Sequence, residues 1–118
     1  MSRDKRALEI ARRAANAAQE KQASDIFLLD LSGTCPFADF FLICTGDNKR
    51  HMEAIREEIE RALLEEGVRL LRDEGEGDSG WILMDFGDLI VHIFSPEQRS
   101  FYRLEELWSN ASPVLRIL

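Results

Sequence analysis

No apolar run in this sequence approaches the roughly 20 residues that a membrane-spanning helix requires, and no hydrophobic stretch follows the basic N-terminus as a secretory signal would demand. Neither secretion nor a membrane location is expected. Cysteine is scarce. Cys35 and Cys44 stand nine positions apart with no CxxC and no nearby histidine pair, which argues against zinc and for reduced thiols in a cytoplasmic protein. With three prolines and seven glycines, collagen-like, mucin-like and low-complexity chains are excluded. Basic charge is short as well, 15 Lys and Arg against 22 Asp and Glu, for a net charge of -7. The deficit is uneven: residues 1–21 hold six basic and three acidic side chains, so they carry +3 and the remainder -10. Such an acidic body is repelled by a phosphate backbone, so no direct nucleic-acid binding is expected, whereas a basic protein surface would be attracted.

What is present fits one small domain, residues 1–118, with 45% hydrophobic and 31% charged residues. A chain of this size buries roughly two-thirds of its unfolded surface, enough for a core without metals or disulfides. Residues 3–21 are rich in Ala and Arg and place Leu8, Ala11, Ala15 and Ala18 on one side, which predicts an N-terminal helix. Asp4, Glu9 and Glu20 argue against an organelle transit peptide there. Asp25–Leu31 and Asp39–Thr45 are short apolar runs and predict strands buried on both faces. Met52, Ile55, Ile59 and Ala62 or Leu63 recur at helical spacing, predicting a helix over about residues 48–66 that is stopped by Gly67.

Val68–Asp73 is a third expected strand, followed by an acidic, glycine-rich turn over residues 74–80. Trp81–Phe86 and Leu89–Phe94 flank Gly87-Asp88 and predict a hairpin. Ser95-Pro96-Glu97 opens a last helix that should reach about Ser109, with Pro113 stopping any continuation. The order α-β-β-α-β-β-β-α predicts an α/β fold, a mixed five-stranded sheet with helices packed on it.

A two-residue turn at Gly87-Asp88 would pair Asp85 with Ile90, Leu83 with His92 and Trp81 with Phe94, all six on one sheet face. Asp85 then lies diagonal to His92, an arrangement that invites acid–base chemistry. No nucleophile accompanies the pair, and a half-buried histidine beside an aspartate is ordinarily structural, so no catalytic residue is assigned. His51, near a helix start, reads as a surface or capping residue rather than a metal ligand. On the last helix Phe101, Leu104, Leu107 and Trp108 fall within about 120 degrees of arc and should face the sheet. Tyr102, about 100 degrees from Phe101 and beside Arg99 and Glu106, should point outward, an aromatic–arginine pairing typical of interface hot spots. Trp81, at the mouth of the acidic loop, raises the same prospect.

The segments DIFLLDL, DFFLICTG, the Glu74-Gly75 pair, GWILMDFGDLIVHIF and EQRSFYRLEELW resemble, in order and spacing, the Iojap-like ribosomal silencing factors over nearly the whole chain. The resemblance implies a translational repressor that binds the large ribosomal subunit through ribosomal protein L14 and sterically blocks association with the small subunit. It implies partner-binding positions at Trp81, Arg99, Tyr102 and Leu104, the last also on the sheet-facing stripe. A nucleotidyltransferase-like scaffold without a working catalytic centre is implied too, with no cofactor and no metal, and a homodimer of the free protein is compatible with it. Where many relatives carry serine, this chain has Asn48, preceded by the charged Asp47. The alternative is a nucleotide-binding or nucleotidyl-transferring enzyme using Gly46, Asn48 and Asp85, since a strand, a glycine and a helix start can hold phosphate. Metal-dependent transfer needs closely spaced carboxylates, and Asp85 and Asp88 are three positions apart across a turn.

Overall fold

The computed structural model describes residues 2–33, 36, 38–101 and 112–118. In chain order the elements are helix α1 (Ser2–Glu20), strands β1 (Ser24–Asp30) and β2 (Phe40–Thr45), helix α2 (Lys49–Glu65), strand β3 (Arg72–Glu74), a 3-10 turn (Gly77–Ser79), strands β4 (Trp81–Asp85) and β5 (Leu89–Phe94), helix α3 (Pro96–Phe101) and strand β6 (Ser112–Ile117). The strands make one sheet in the order β3-β4-β5-β2-β1-β6, antiparallel throughout except for the parallel β2–β5 pair.

The sheet has six strands rather than the five that the sequence predicts. The addition is β6, which pairs antiparallel with the outer side of β1. Pro113 lies within it, where a proline is tolerated because an edge strand can leave an N–H unpaired. The register slips where Leu28 and Leu29 face Leu115 and Pro113, so Val114 is the extra residue of a bulge next to the proline. The third strand is also shorter and later than the predicted 68–73. Pairing with β4 begins only at Arg72, while Val68 and Leu70 pack against the core before the chain reaches the sheet.

Both faces of the sheet are covered with apolar side chains. One carries Ile26, Leu28, Phe40, Leu42, Ile82, Met84, Val91 and Ile93 against α1 and α2. Helix α1 meets this core through Ala7, Ile10, Ala11, Ala14, Ala15, Ala17 and Ala18, a broader stripe than the predicted one, and small side chains let the helix approach closely. Helix α2 buries Met52, Ile55, Ile59, Ala62 and Leu63, the residues its periodicity selects. Asn48 caps it by accepting the His51 N–H at 2.9 Å. At its other end Gly67 N–H donates to the Leu64 carbonyl and Val68 N–H to that of Leu63, a Schellman closure.

The opposite face gathers Phe27, Leu29, Leu31, Phe41, Ile43, Ile90 and Phe94, with Trp81 and Leu83 packed against them. The β4–β5 hairpin has the expected register, with Trp81 opposite Phe94, Leu83 opposite His92 and Asp85 opposite Ile90. Phe86 N–H donates to the Leu89 carbonyl, and Gly87 at φ 97 takes the first turn position, the type II′ geometry whose twist suits a hairpin. The helix expected to run to Ser109 is described as α3 to Phe101, and Tyr102, Leu104, Leu107 and Trp108 lie outside the described residues.

Candidate functional site

Trp81 opens β4 directly after the acidic glycine loop, and the loop is built to hold it. The Ser79 hydroxyl donates to the Glu76 carbonyl at 2.7 Å and accepts the Glu76 N–H at 3.2 Å, closing the 3-10 turn. Gly75, at φ 84, runs so close to β4 that a Cβ there would collide with the Trp81 carbonyl oxygen. A cavity of about 290 Å³ is left between loop, strand and helix start, lined by Glu74, Gly75, Ser79, Trp81, Leu83 and Gln98. Glu74, which lines it, and Glu76 in the same loop are exposed carboxylates, whereas Asp78 faces the neighbouring cavity and pairs with Lys49 at 3.1 Å.

Behind Trp81 lies an aromatic stack. The indole and the Phe94 ring are 5.0 Å apart between centroids and tilted by 36°, and the Phe41 ring meets His92 edge-on at 4.8 Å. The Trp81 Nε1–H donates to His92 Nδ1 at 3.2 Å. His92 is only 4% exposed, and burial among apolar rings pushes its pKa down to about 4. It is therefore a neutral acceptor at ordinary pH. The predicted neighbour Asp85 does not serve it as an acid–base partner. Asp85 accepts the Gly87 N–H at 2.8 Å, steadying the hairpin turn, and lies 3.6 Å from the Arg72 guanidinium.

Arg99 is placed differently from the expectation. Instead of pointing outward beside Tyr102 it is 8% exposed, turned to the end of the sheet. Its Nη1 donates to the Asp25 carbonyl and to Thr45 Oγ1, each at 3.0 Å, and Nη2 lies 3.1 Å from Asp25 Oδ2. Asp25 sits in a β-bulge at φ 45 and is also gripped by Arg116, whose Nε donates at 3.0 Å. A guanidinium on the first turns of α3 is thus drawn inward by a carboxylate 74 positions earlier. That carboxylate was the available signal, a charge at the start of an otherwise apolar strand. Trp81 and Gln98 share the cavity, while Arg99 anchors the helix behind it. The expected contacts Tyr102 and Leu104 lie outside the described residues.

The residues of the enzymatic alternative are not brought together. Gly46 and Asn48 follow the end of β2, level with Phe94 and Trp81, whereas Asp85 ends β4 two strands away and at the opposite end of the sheet, about 13 Å further along the strand direction alone. Asn48 is committed to its cap, and a Cβ on Gly46 would run into the Met52 side chain. His51 supports the same helix start: Nδ1 accepts the Asp47 N–H at 2.8 Å and Nε2 donates to the Lys21 carbonyl at 2.7 Å. This is the capping role expected of it.

Residues 4–117 match the family described as "Ribosomal silencing factor during starvation". The chain is 42% identical over 98 residues to a ribosomal silencing factor of Bacillus subtilis, covering 83% of each protein. It is 38% identical over 106 residues to the ribosomal silencing factor of Halalkalibacterium halodurans, covering 90% of this chain and 91% of that relative. A crystal structure of a protein from Chromobacterium violaceum aligns with a TM-score of 0.82 at 32% identity, over 86% of this chain and 85% of that one.

Proposed function

The chain belongs to the ribosomal silencing factor family, and from that membership we propose that it represses translation by binding the large ribosomal subunit. The proposed contact is ribosomal protein L14, and the effect is steric: a rigid domain occupies space that the small subunit needs. The observation that carries this reading is the cavity beside Trp81, where a half-buried indole stands in a loop with the exposed carboxylates of Glu74 and Glu76. A large aromatic in a concave site is a natural anchor, and surrounding carboxylates favour approach of a basic protein such as one embedded in the ribosome. Tyr102 and Leu104 extend the proposed contact beyond Trp81. Arg99 serves it from behind, by fixing the start of α3 against Asp25.

No chemistry is required by this reading, and we read the chain as non-enzymatic on a scaffold related to nucleotidyltransferases. Gly46 and Asn48 lie at one end of the sheet and Asp85 at the other, so they do not converge on a single phosphate. The proposed site of action is the cytoplasm, on ribosomes. Subunit joining in a purified mixture tests the proposal. Added protein should sediment with the large subunit and lower the fraction of joined ribosomes in a gradient. Normal joining with demonstrably bound protein removes the steric mechanism, and failure to sediment with the large subunit removes the partner.

A further inference from the structure

An indole N–H is a donor only, and where it is buried it has to find an acceptor. In Trp81 that acceptor is internal. The Nε1–H donates to His92 Nδ1 at 3.2 Å, across the hairpin on the same sheet face. The bond decides what the residue can offer a partner, because it occupies the one polar group of the indole, and Trp81 is left to contribute ring surface where it lines the cavity. His92 is itself held. It stands opposite Leu83 in the hairpin, is met edge-on by Phe41 at 4.8 Å, and lies nearly parallel to the Phe94 ring at 6.2 Å. Phe94 in turn supports the indole at 5.0 Å. A ring so clamped offers its lone pair in one fixed direction.

We propose that His92 is a positioning residue for partner binding, holding the Trp81 indole in its docking orientation through the Nε1–H to Nδ1 hydrogen bond. This rests on the reading of Trp81 as a partner contact. The chemistry of the acceptor matters. A neutral imidazole accepts at Nδ1 while its proton resides on Nε2, which is buried without a hydrogen-bond partner among the described residues. The site thus gains an acceptor without a buried charge, at the cost of one unpaired ring N–H. A carboxylate at the same place would carry a charge into an apolar stack, and an aliphatic residue would leave the indole donor unpaired and free to choose another rotamer. Among the described residues, the aromatic rings against His92 are those of Phe41, Trp81 and Phe94, none of them charged.

Nitrogen-15 NMR of the intact chain, combined with affinity for isolated large subunits, tests this. Trp81→Phe identifies the Trp81 indole resonance. Wild-type protein should show a scalar coupling between Trp81 Nε1 and His92 Nδ1 across the hydrogen bond and slow exchange of that indole proton. His92→Leu should abolish the coupling, speed the exchange and weaken large-subunit binding by about 10-fold, the scale of one lost buried hydrogen bond. His92→Asn, whose side-chain oxygen can take the place of Nδ1, should recover the slow exchange and most of the affinity. The proposal is overturned if the wild type shows no coupling and rapid exchange of that indole proton, a result that needs only the conservative Trp81→Phe variant to fold. It is also overturned if His92→Leu binds like wild type while Trp81→Ala does not, or if the Leu and Asn variants lose affinity equally. If Trp81→Ala itself binds normally, the docking surface has been misassigned, and the coupling measurement still reports separately whether the hydrogen bond exists.

Discussion

Asp25 and Arg99 lie 74 positions apart in the chain, yet the Asp25 carboxylate stands 3.1 Å from the Arg99 guanidinium and its carbonyl accepts from the same group at 3.0 Å. One residue thereby ties the bulged start of β1 to the first turns of α3, and the cavity beside Trp81 is bounded by that helix through Gln98. Arg99 is nearly buried, so its charge depends on this partner more than an exposed arginine would. Asp25→Ala removes the carboxylate and leaves a buried cation, which typically costs about 3 to 5 kcal/mol. Asp25→Asn should cost less, because asparagine tolerates the left-handed backbone at φ 45 and keeps an oxygen for the guanidinium. Urea unfolding of both variants checks the order, and equal stabilities for wild type and Asp25→Ala would show that the pair contributes nothing.

A second expectation concerns pH. Burial holds His92 near pKa 4 in the folded chain, whereas an unfolded histidine titrates near 6.5. Between those values the unfolded state binds more protons, so stability falls as pH is lowered from about 6.5 toward 4 and is unaffected by this group above that window. The full effect is about 3 kcal/mol. Denaturant midpoints measured across the window should therefore slope less in His92→Asn than in wild type. Parallel slopes would mean that His92 does not titrate as its surroundings dictate.

The features that sequence alone discloses are those whose causes are local. The hairpin register follows from two turn residues between alternating strands, and all three expected pairs, Trp81 with Phe94, Leu83 with His92 and Asp85 with Ile90, are found. The buried face of α2 follows from its own spacing and its caps from Asn48 and Gly67. What remained hidden depends on distant partners. Strand β6 is a six-residue segment containing a proline, and it becomes a strand only by pairing with β1, far earlier in the chain. Arg99 reads as an outward neighbour of Tyr102 on a bare helix, because nothing within one turn reveals that Asp25 and Thr45 will draw it inward. The place of Trp81 beside an acidic loop was legible, but its hydrogen bond to His92 required the pairing of β4 with β5 to be taken one step further, from register to side-chain reach.

The loop that shapes the cavity is sensitive at one position. Gly75 adopts φ 84 and has no room for a side chain against the Trp81 carbonyl. Gly75→Ala should therefore cost at least about 2 kcal/mol and disturb Trp81 directly, since backbone rather than a flexible side chain must give way. Thermal unfolding and intrinsic tryptophan emission report the two effects together. Gly33→Ala is the comparison: its φ of 85 carries similar backbone strain, but open space surrounds it, so it should leave the emission unchanged.

The proposed interface and the alternative nucleotide site make opposite demands on two groups of residues. If Trp81 and Tyr102 anchor a protein partner, truncating either to alanine removes an aromatic hot spot worth about 2 kcal/mol or more, so each variant should bind the large subunit roughly 30-fold more weakly. Asn48→Ala is the counterpart. It deletes the α2 cap that accepts the His51 N–H at 2.9 Å and should cost about 1 kcal/mol of stability. Because Asn48 borders the neighbouring cavity, with Asp47, Lys49 and Asp78, across Ser79 and Gln98 from Trp81, its loss should leave ribosome binding largely unchanged at temperatures where the protein is folded. A phosphate-handling role would reverse the pattern, with Asn48→Ala abolishing activity and Trp81→Ala sparing it. Co-sedimentation of the three variants with purified large subunits, beside unfolding curves for each, separates the outcomes. Wild-type binding by both aromatic variants would move the partner surface away from the Trp81 cavity altogether.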